Sequence, residues 1–110
     1  PLGDIAPFLE AVDLVMIMSV NPGFPGQGFE PGSTERGRAL REEYGFKGHV
    51  EIDGGIKVDN AAEVAGAGAN VLVSGSGIFK SGDLSGTISR LRSDADAAFS
   101  RAGWVAPQAK

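Results

Sequence analysis

The chain has 110 residues, with fourteen acidic side chains against ten basic ones, a formal net charge of −4, one histidine and no cysteine. That balance, without any basic stripe to neutralise phosphates in bulk, argues against nucleic acid or an anionic membrane surface as a partner. The lack of cysteine excludes disulfides and thiolate metal sites, and no apolar run approaches the roughly 18–20 residues that span a bilayer, so a cytoplasmic enzyme is the default expectation (plastid, if the source is a photosynthetic eukaryote).

Glycine is the outlier in composition: 17 residues, about twice the usual share. Most of these glycines end apolar runs, which makes them turn markers and not a linker.

From Pro1 to Glu10, Leu2, Ile5, Ala6 and Leu9 fall at helical spacing and predict a short helix. A proline in first position suggests a piece of a longer chain. Leu14 to Val20 is a continuous apolar run, the pattern of a strand buried on both faces. It breaks at Asn21-Pro22-Gly23-Phe24-Pro25-Gly26-Gln27-Gly28, a loop with strong turn chemistry. Ser33 is placed to cap a helix running to about Tyr44, with Gly45 as its stop. Gly37 inside that helix costs about 1 kcal/mol relative to alanine.

His49 to Ile52 predicts a second strand, ending on Asp53-Gly54-Gly55, and Lys57 to Ala67 a second helix. Val71 to Ser74 predicts a third strand, which breaks at Gly75-Ser76-Gly77. Asp83 can cap a last helix through about Arg101, with Leu84, Ile88, Leu91, Ala95 and Phe99 along its apolar face. Trp104 to Lys110 reads as a tail, with Trp104 packed on a helix.

Short apolar strands alternating with helices require a parallel sheet with helical crossovers, an α/β architecture. Three such units cannot close a barrel of eight, which takes about 250 residues. The expectation is therefore the C-terminal three βα units of a (β/α)8 TIM barrel, incomplete in this chain, with residues 1–103 as part of one barrel domain and 104–110 as tail. An open three-stranded sheet is the alternative, with both edges unprotected. On either reading Met16, Ile52 and the Val71–Val73 strand are expected to meet water in the isolated chain, which favours poor solubility or self-association.

All three strands end in glycine-rich turns on one edge of the sheet. Backbone N–H groups at such turns bind anions without a cationic side chain, so an acidic chain can still hold a phosphate monoester. The plain alternative is that Gly54, Gly55, Gly75 and Gly77 only permit tight turns. Asp53 ends its strand where barrel enzymes place catalytic groups, and it suits a general acid/base or a metal ligand; a loop cap is the structural alternative. Met16 and Met18 share one strand face, Met18 nearer the mouth. Ser19, Ser74 and Ser76 have no base in sight and are not assigned as nucleophiles. His49 lies about 13 Å along the strand from Asp53, so the two cannot bind one metal.

The stretch Met18-Ser19-Val20-Asn21-Pro22-Gly23-Phe24-Pro25-Gly26-Gln27 resembles the loop signature of the ribulose-phosphate 3-epimerase family. Glu51-Ile52-Asp53-Gly54-Gly55-Ile56 and Ala67 to Phe79 resemble its next two strand ends, though those two motifs are shared with several phosphate-binding barrels. The resemblance implies a ribulose-phosphate-binding barrel that interconverts D-ribulose 5-phosphate and D-xylulose 5-phosphate. The proton at C3 would move through an enediolate, with two aspartates acting on opposite faces.

It further implies that Asp53 is both acid/base and ligand of a divalent metal, zinc foremost, with iron, manganese or cobalt as alternatives. Gly23, Phe24, Pro25 and Gly26 match the loop over the substrate; Gly54 and Gly55, with Gly75 and Ser76, match the phosphate cradle; Met18 matches the pocket wall. The second aspartate and the metal-ligating histidines match nothing here, and are expected in a missing N-terminal part of the barrel. A homo-oligomer is expected at full length, and this piece alone is expected to be inactive. Pro25 stands where the family's loop usually has glycine, fixing φ near −65° and removing an N–H, so weaker sugar-phosphate binding is expected. Allulose-6-phosphate 3-epimerase or another phosphate-sugar barrel, and a non-catalytic phosphate-binding module, are the competing readings.

Overall fold

The computed structural model describes residues 2–18, 32–74, 82–105 and 107. In chain order they form α1 (Leu2–Ile5), continued by a 3-10 helix over Ala6–Ala11, then β1 (Leu14–Met18), α2 (Gly32–Glu42), β2 (His49–Asp53), α3 (Ala61–Gly66), β3 (Val71–Val73) and α4 (Leu84–Arg101). The strands pair in parallel in the order β1-β2-β3, each joined to the next by a segment that carries a helix.

Side chains alternate across a strand, so the register decides which residues share a face. Leu14 to Met18 pair in step with His49 to Asp53, and Glu51 to Asp53 with Val71 to Val73. One face therefore carries Val15, Ile17, Val50, Ile52 and Leu72. The helices lie on this face: Val50 and Ile52 are fully buried and join Leu40 of α2, Ala61 and Val64 of α3 and Leu91 of α4 in one core. A Cβ built on Gly37 would sit 3.9 Å from Ile52 Cδ1 and 4.0 Å from Ile17 Cδ1, which shows how closely α2 lies on the sheet.

The opposite face carries Leu14, Met16, Met18, His49, Glu51, Asp53, Val71 and Val73. Here Leu14, Met16 and Val73 are 44%, 48% and 39% exposed. The apolar run of β1 predicts cover on both faces, and among the described residues the helices cover only one. Met16 and Val73 meet water as expected, but Ile52 does not. It pairs with Ile17 and Leu72 on the helix side, one residue out of step with Glu51 and Asp53.

Three helix ends differ from expectation for local reasons. Ser33 is not the cap of α2 but lies in its first turn, where its Oγ and the Thr34 Oγ1 are buried without a hydrogen-bond partner. The helix ends at Glu42, and the N–H groups of Glu43 and Tyr44 both fold back onto the Ala39 carbonyl at 2.9 and 3.1 Å. α3 starts at Ala61, well after Lys57, because the Asn60 side chain closes the preceding residues into a turn. α4 starts as predicted, with Asp83 Oδ1 accepting from the Gly86 N–H at 3.1 Å. Of its apolar stripe only Leu91 is buried; Leu84 and Ile88 are exposed. Beyond it, the Trp104 indole N–H donates to the Gly66 carbonyl at 2.9 Å and so pins the chain to the end of α3.

Candidate active site

The register sets Met18, Asp53 and Val73 side by side in one row at the C-terminal edge of the sheet, on the uncovered face. The row beneath is Met16, Glu51 and Val71. β2 thus delivers a half-buried carboxylate to the edge, flanked by an apolar side chain from each neighbouring strand. Immediately after Asp53 the backbone turns through Gly54 (φ +122°) and Gly55 (φ +73°), conformations that a side chain at either position would strain.

Side chains just before α3 and just past β3 then hold the turn. Asn60 Oδ1 accepts from the Lys57 N–H at 2.8 Å, and Asn60 Nδ2 donates to the Gly55 carbonyl at 2.9 Å. Ser74 Oγ, just past β3, donates to the Ile56 carbonyl at 2.5 Å. Ser74 is therefore a structural tie between the end of β3 and the loop after β2.

The N-terminal edge is built differently. Arg41 is nearly fully buried, and Nε donates to the Gly68 carbonyl at 2.9 Å while Nη1 reaches the carbonyls of Phe46 at 2.9 Å and Gly48 at 2.7 Å. Nη2 points to Asn70 Oδ1 at 3.4 Å. Burial lowers the Arg41 pKa from its ordinary value, yet a guanidinium remains cationic far above neutrality. Asn70 Oδ1 also accepts from the Val50 N–H at 2.8 Å, which fixes the amide's orientation and turns Nδ2 toward His49 Nδ1 at 2.9 Å. That ring nitrogen is thereby the acceptor, and the imidazole proton sits on Nε2. A cleft of about 640 Å³ opens at this edge between Asp13, Tyr44, Lys47 and His49, at the far end of the strands from Asp53.

Of the residues expected to form the site, Met18, Asp53, Gly54 and Gly55 are brought together. Gly23, Phe24, Pro25, Gly26, Gly75 and Ser76 lie outside the described residues. No group of three or more His, Asp or Glu among the described residues could hold a metal ion, so Asp53 alone does not make a metal site. His49 is at the other edge, as its spacing requires. The residues that sequence reasoning missed are Asn60, Arg41 and Asn70. Asn60 had a signal, an asparagine three residues past Lys57 in a glycine-rich turn. The other two had none, because Arg41 bonds Gly68 and Asn70 bonds Val50 and His49, partners 20 or more residues away in sequence.

Residues 1–79 match the model of a family described as "Ribulose-phosphate 3 epimerase family". The chain belongs to this family. Among curated relatives, ribulose-phosphate 3-epimerase of Escherichia coli strain K12 is 41% identical over 97 residues, covering 86% of this chain and 43% of that protein. The enzyme of the same name from Buchnera aphidicola subsp. Acyrthosiphon pisum is 42% identical over 104 residues, covering 92% of this chain and 46% of the relative. That of Serratia marcescens is 44% identical over 82 residues, covering 72% and 39%. The chain thus spans less than half the length of these epimerase-family relatives. No helix among its described residues is long and apolar enough to cross a membrane.

Proposed function

We propose that residues 1–103 are the C-terminal three βα units of a (β/α)8 barrel and that the whole barrel is a ribulose-phosphate 3-epimerase. It would interconvert D-ribulose 5-phosphate and D-xylulose 5-phosphate. The observation that carries the reading is the row Met18–Asp53–Val73 running directly into the Gly54–Gly55 turn, within a chain that belongs to this family. One carboxylate and one anion-binding turn then lie on the same edge, as a phosphorylated sugar needs.

In this reading Asp53 takes the C3 proton from one face of the sugar, or returns it. Inversion at C3 requires a second acid/base on the opposite face. The row that holds Asp53 sets only Met18 and Val73 beside it, and the partner would come from the rest of the barrel. The phosphate is held by backbone N–H groups of Gly54 and Gly55 together with Gly75 and Ser76, which costs the acidic chain no cationic side chain. Met18 and the loop of Gly23, Phe24, Pro25 and Gly26 form an apolar wall and cover that keep water from protonating the carbanion. A divalent metal, zinc foremost, would supply Lewis-acid stabilisation of the enediolate oxygens. Asp53 offers it one ligand, and the described residues do not complete its site.

The test is a chimera in which this chain replaces the corresponding part of the E. coli relative. Exchange of the C3 proton of ribulose 5-phosphate and, in parallel, of allulose 6-phosphate is followed in D2O. Exchange by the chimera, at least about 100-fold reduced in Asp53→Asn, supports the reading. A folded chimera that exchanges neither substrate overturns it, and one preferring allulose 6-phosphate moves it to the sister activity. In the active chimera, Pro25→Gly is expected to lower KM for the sugar phosphate.

A further inference from the structure

The loop between β2 and α3 commits three consecutive carbonyl oxygens to donors of the protein itself. The Gly55 oxygen accepts from Asn60 Nδ2, the Ile56 oxygen from Ser74 Oγ, and the Lys57 oxygen from the N–H groups of Asn60 and Ala61 at 3.2 and 3.0 Å. Carbonyl oxygens are the groups an approaching anion would be repelled by, and here each is engaged elsewhere. A trans peptide is planar, with its C=O and the following N–H pointing opposite ways, and none among the described residues is cis.

Asn60, by holding the Gly55 oxygen, therefore turns the Ile56 N–H away from α3. The next peptide is strapped at both ends, its oxygen to Ser74 and its Lys57 N–H to Asn60 Oδ1. The glycines would otherwise leave this loop free to rotate its peptides either way.

We propose that Asn60 and Ser74 are positioning residues for the phosphate group. They touch the loop and not the ligand, and they orient the Gly55–Ile56 peptide so that it offers the Ile56 N–H to a phosphate monoester. This rests on reading the edge as a phosphate site. Ser74 adds a second consequence: its hydroxyl ties the loop after β2 to the end of β3.

Hydrogen exchange of the 110-residue chain, measured by mass spectrometry across a titration of inorganic phosphate, tests it. Phosphate is expected to protect the segment from Gly54 to Lys57 in the wild-type chain and in Ser74→Thr, which keeps the hydroxyl. Asn60→Ala and Ser74→Ala are expected to need about three- to tenfold more phosphate for half protection. Exchange in β2 and α4 serves as the folding control. If Asn60→Ala fails to fold, the comparison of Ser74→Ala with Ser74→Thr decides. An unprotected wild-type loop overturns the phosphate reading and the proposal together. A protected loop with the same phosphate dependence in both alanine variants overturns the positioning role alone.

Discussion

Arg41 surrenders nearly all its contact with water, and the described oxygens around it are all carbonyls: three from the backbone and one from an amide. Its charge is met by dipoles that converge from the end of α2, the approach to β2 and the approach to β3. Arg41→Met keeps the bulk and removes every donor; with several carbonyls stranded at about 1–3 kcal/mol each, a loss of at least about 3 kcal/mol is expected in urea unfolding. Arg41→Lys is expected to recover less than half of that, since an ammonium cannot reproduce the guanidinium's fork. Gly68→Ala is expected to cost about 1–3 kcal/mol as well, because φ is +117° there and the new methyl would collide with the Arg41 side chain. The place of Asp53 at the end of a strand was legible in the sequence because two glycines follow an apolar run that ends on an acid. Arg41 and Asn70 were not, since Gly68, which Arg41 bonds, and Val50 and His49, which Asn70 bonds, are 20 or more residues away along the chain.

The helices show which local signals survive folding. α4 was read almost to the residue, because a cap and a 3.6-residue stripe agree over five turns. Asp83→Ala is expected to lose about 1 kcal/mol, measurable by thermal unfolding, through the unsatisfied Gly86 N–H. α3 was read too long, because Asn60 spends its side chain on the turn and so delays the helix. In α2 the glycine at position 37 is a helix defect with room to spare. Since a methyl there meets Ile52 and Ile17 only at ordinary contact distance, Gly37→Ala is expected to stabilise the chain by about 1 kcal/mol and raise its melting temperature. Strand faces were the least legible feature. An apolar run three to seven residues long has no alternation to read, so Ile52 and Met16 could not be told apart until the register with Glu51 and Asp53 was known.

Taken whole, the molecule is a parallel sheet with helices on one side and, on the other, Leu14, Met16 and Val73 open to water around an acidic column of Glu51 and Asp53. Parallel sheets are normally covered on both sides. Concentration-dependent association of the isolated chain is therefore expected in sedimentation velocity. Met16→Lys, which sets a cation opposite Glu51 in the register, is expected to shift the chain toward monomer. A wild-type chain that is monomeric at every concentration would show that the open face does not drive assembly. The two edges of the sheet divide the work. The Arg41–Asn70–His49 lattice girdles one edge, while Asp53 and its glycine turn occupy the other, a strand's length away. Sequence drift in the loops beyond Asp53 leaves that girdle intact, so most members of a mutational library confined to those loops are expected to keep the fold, as read by thermal unfolding.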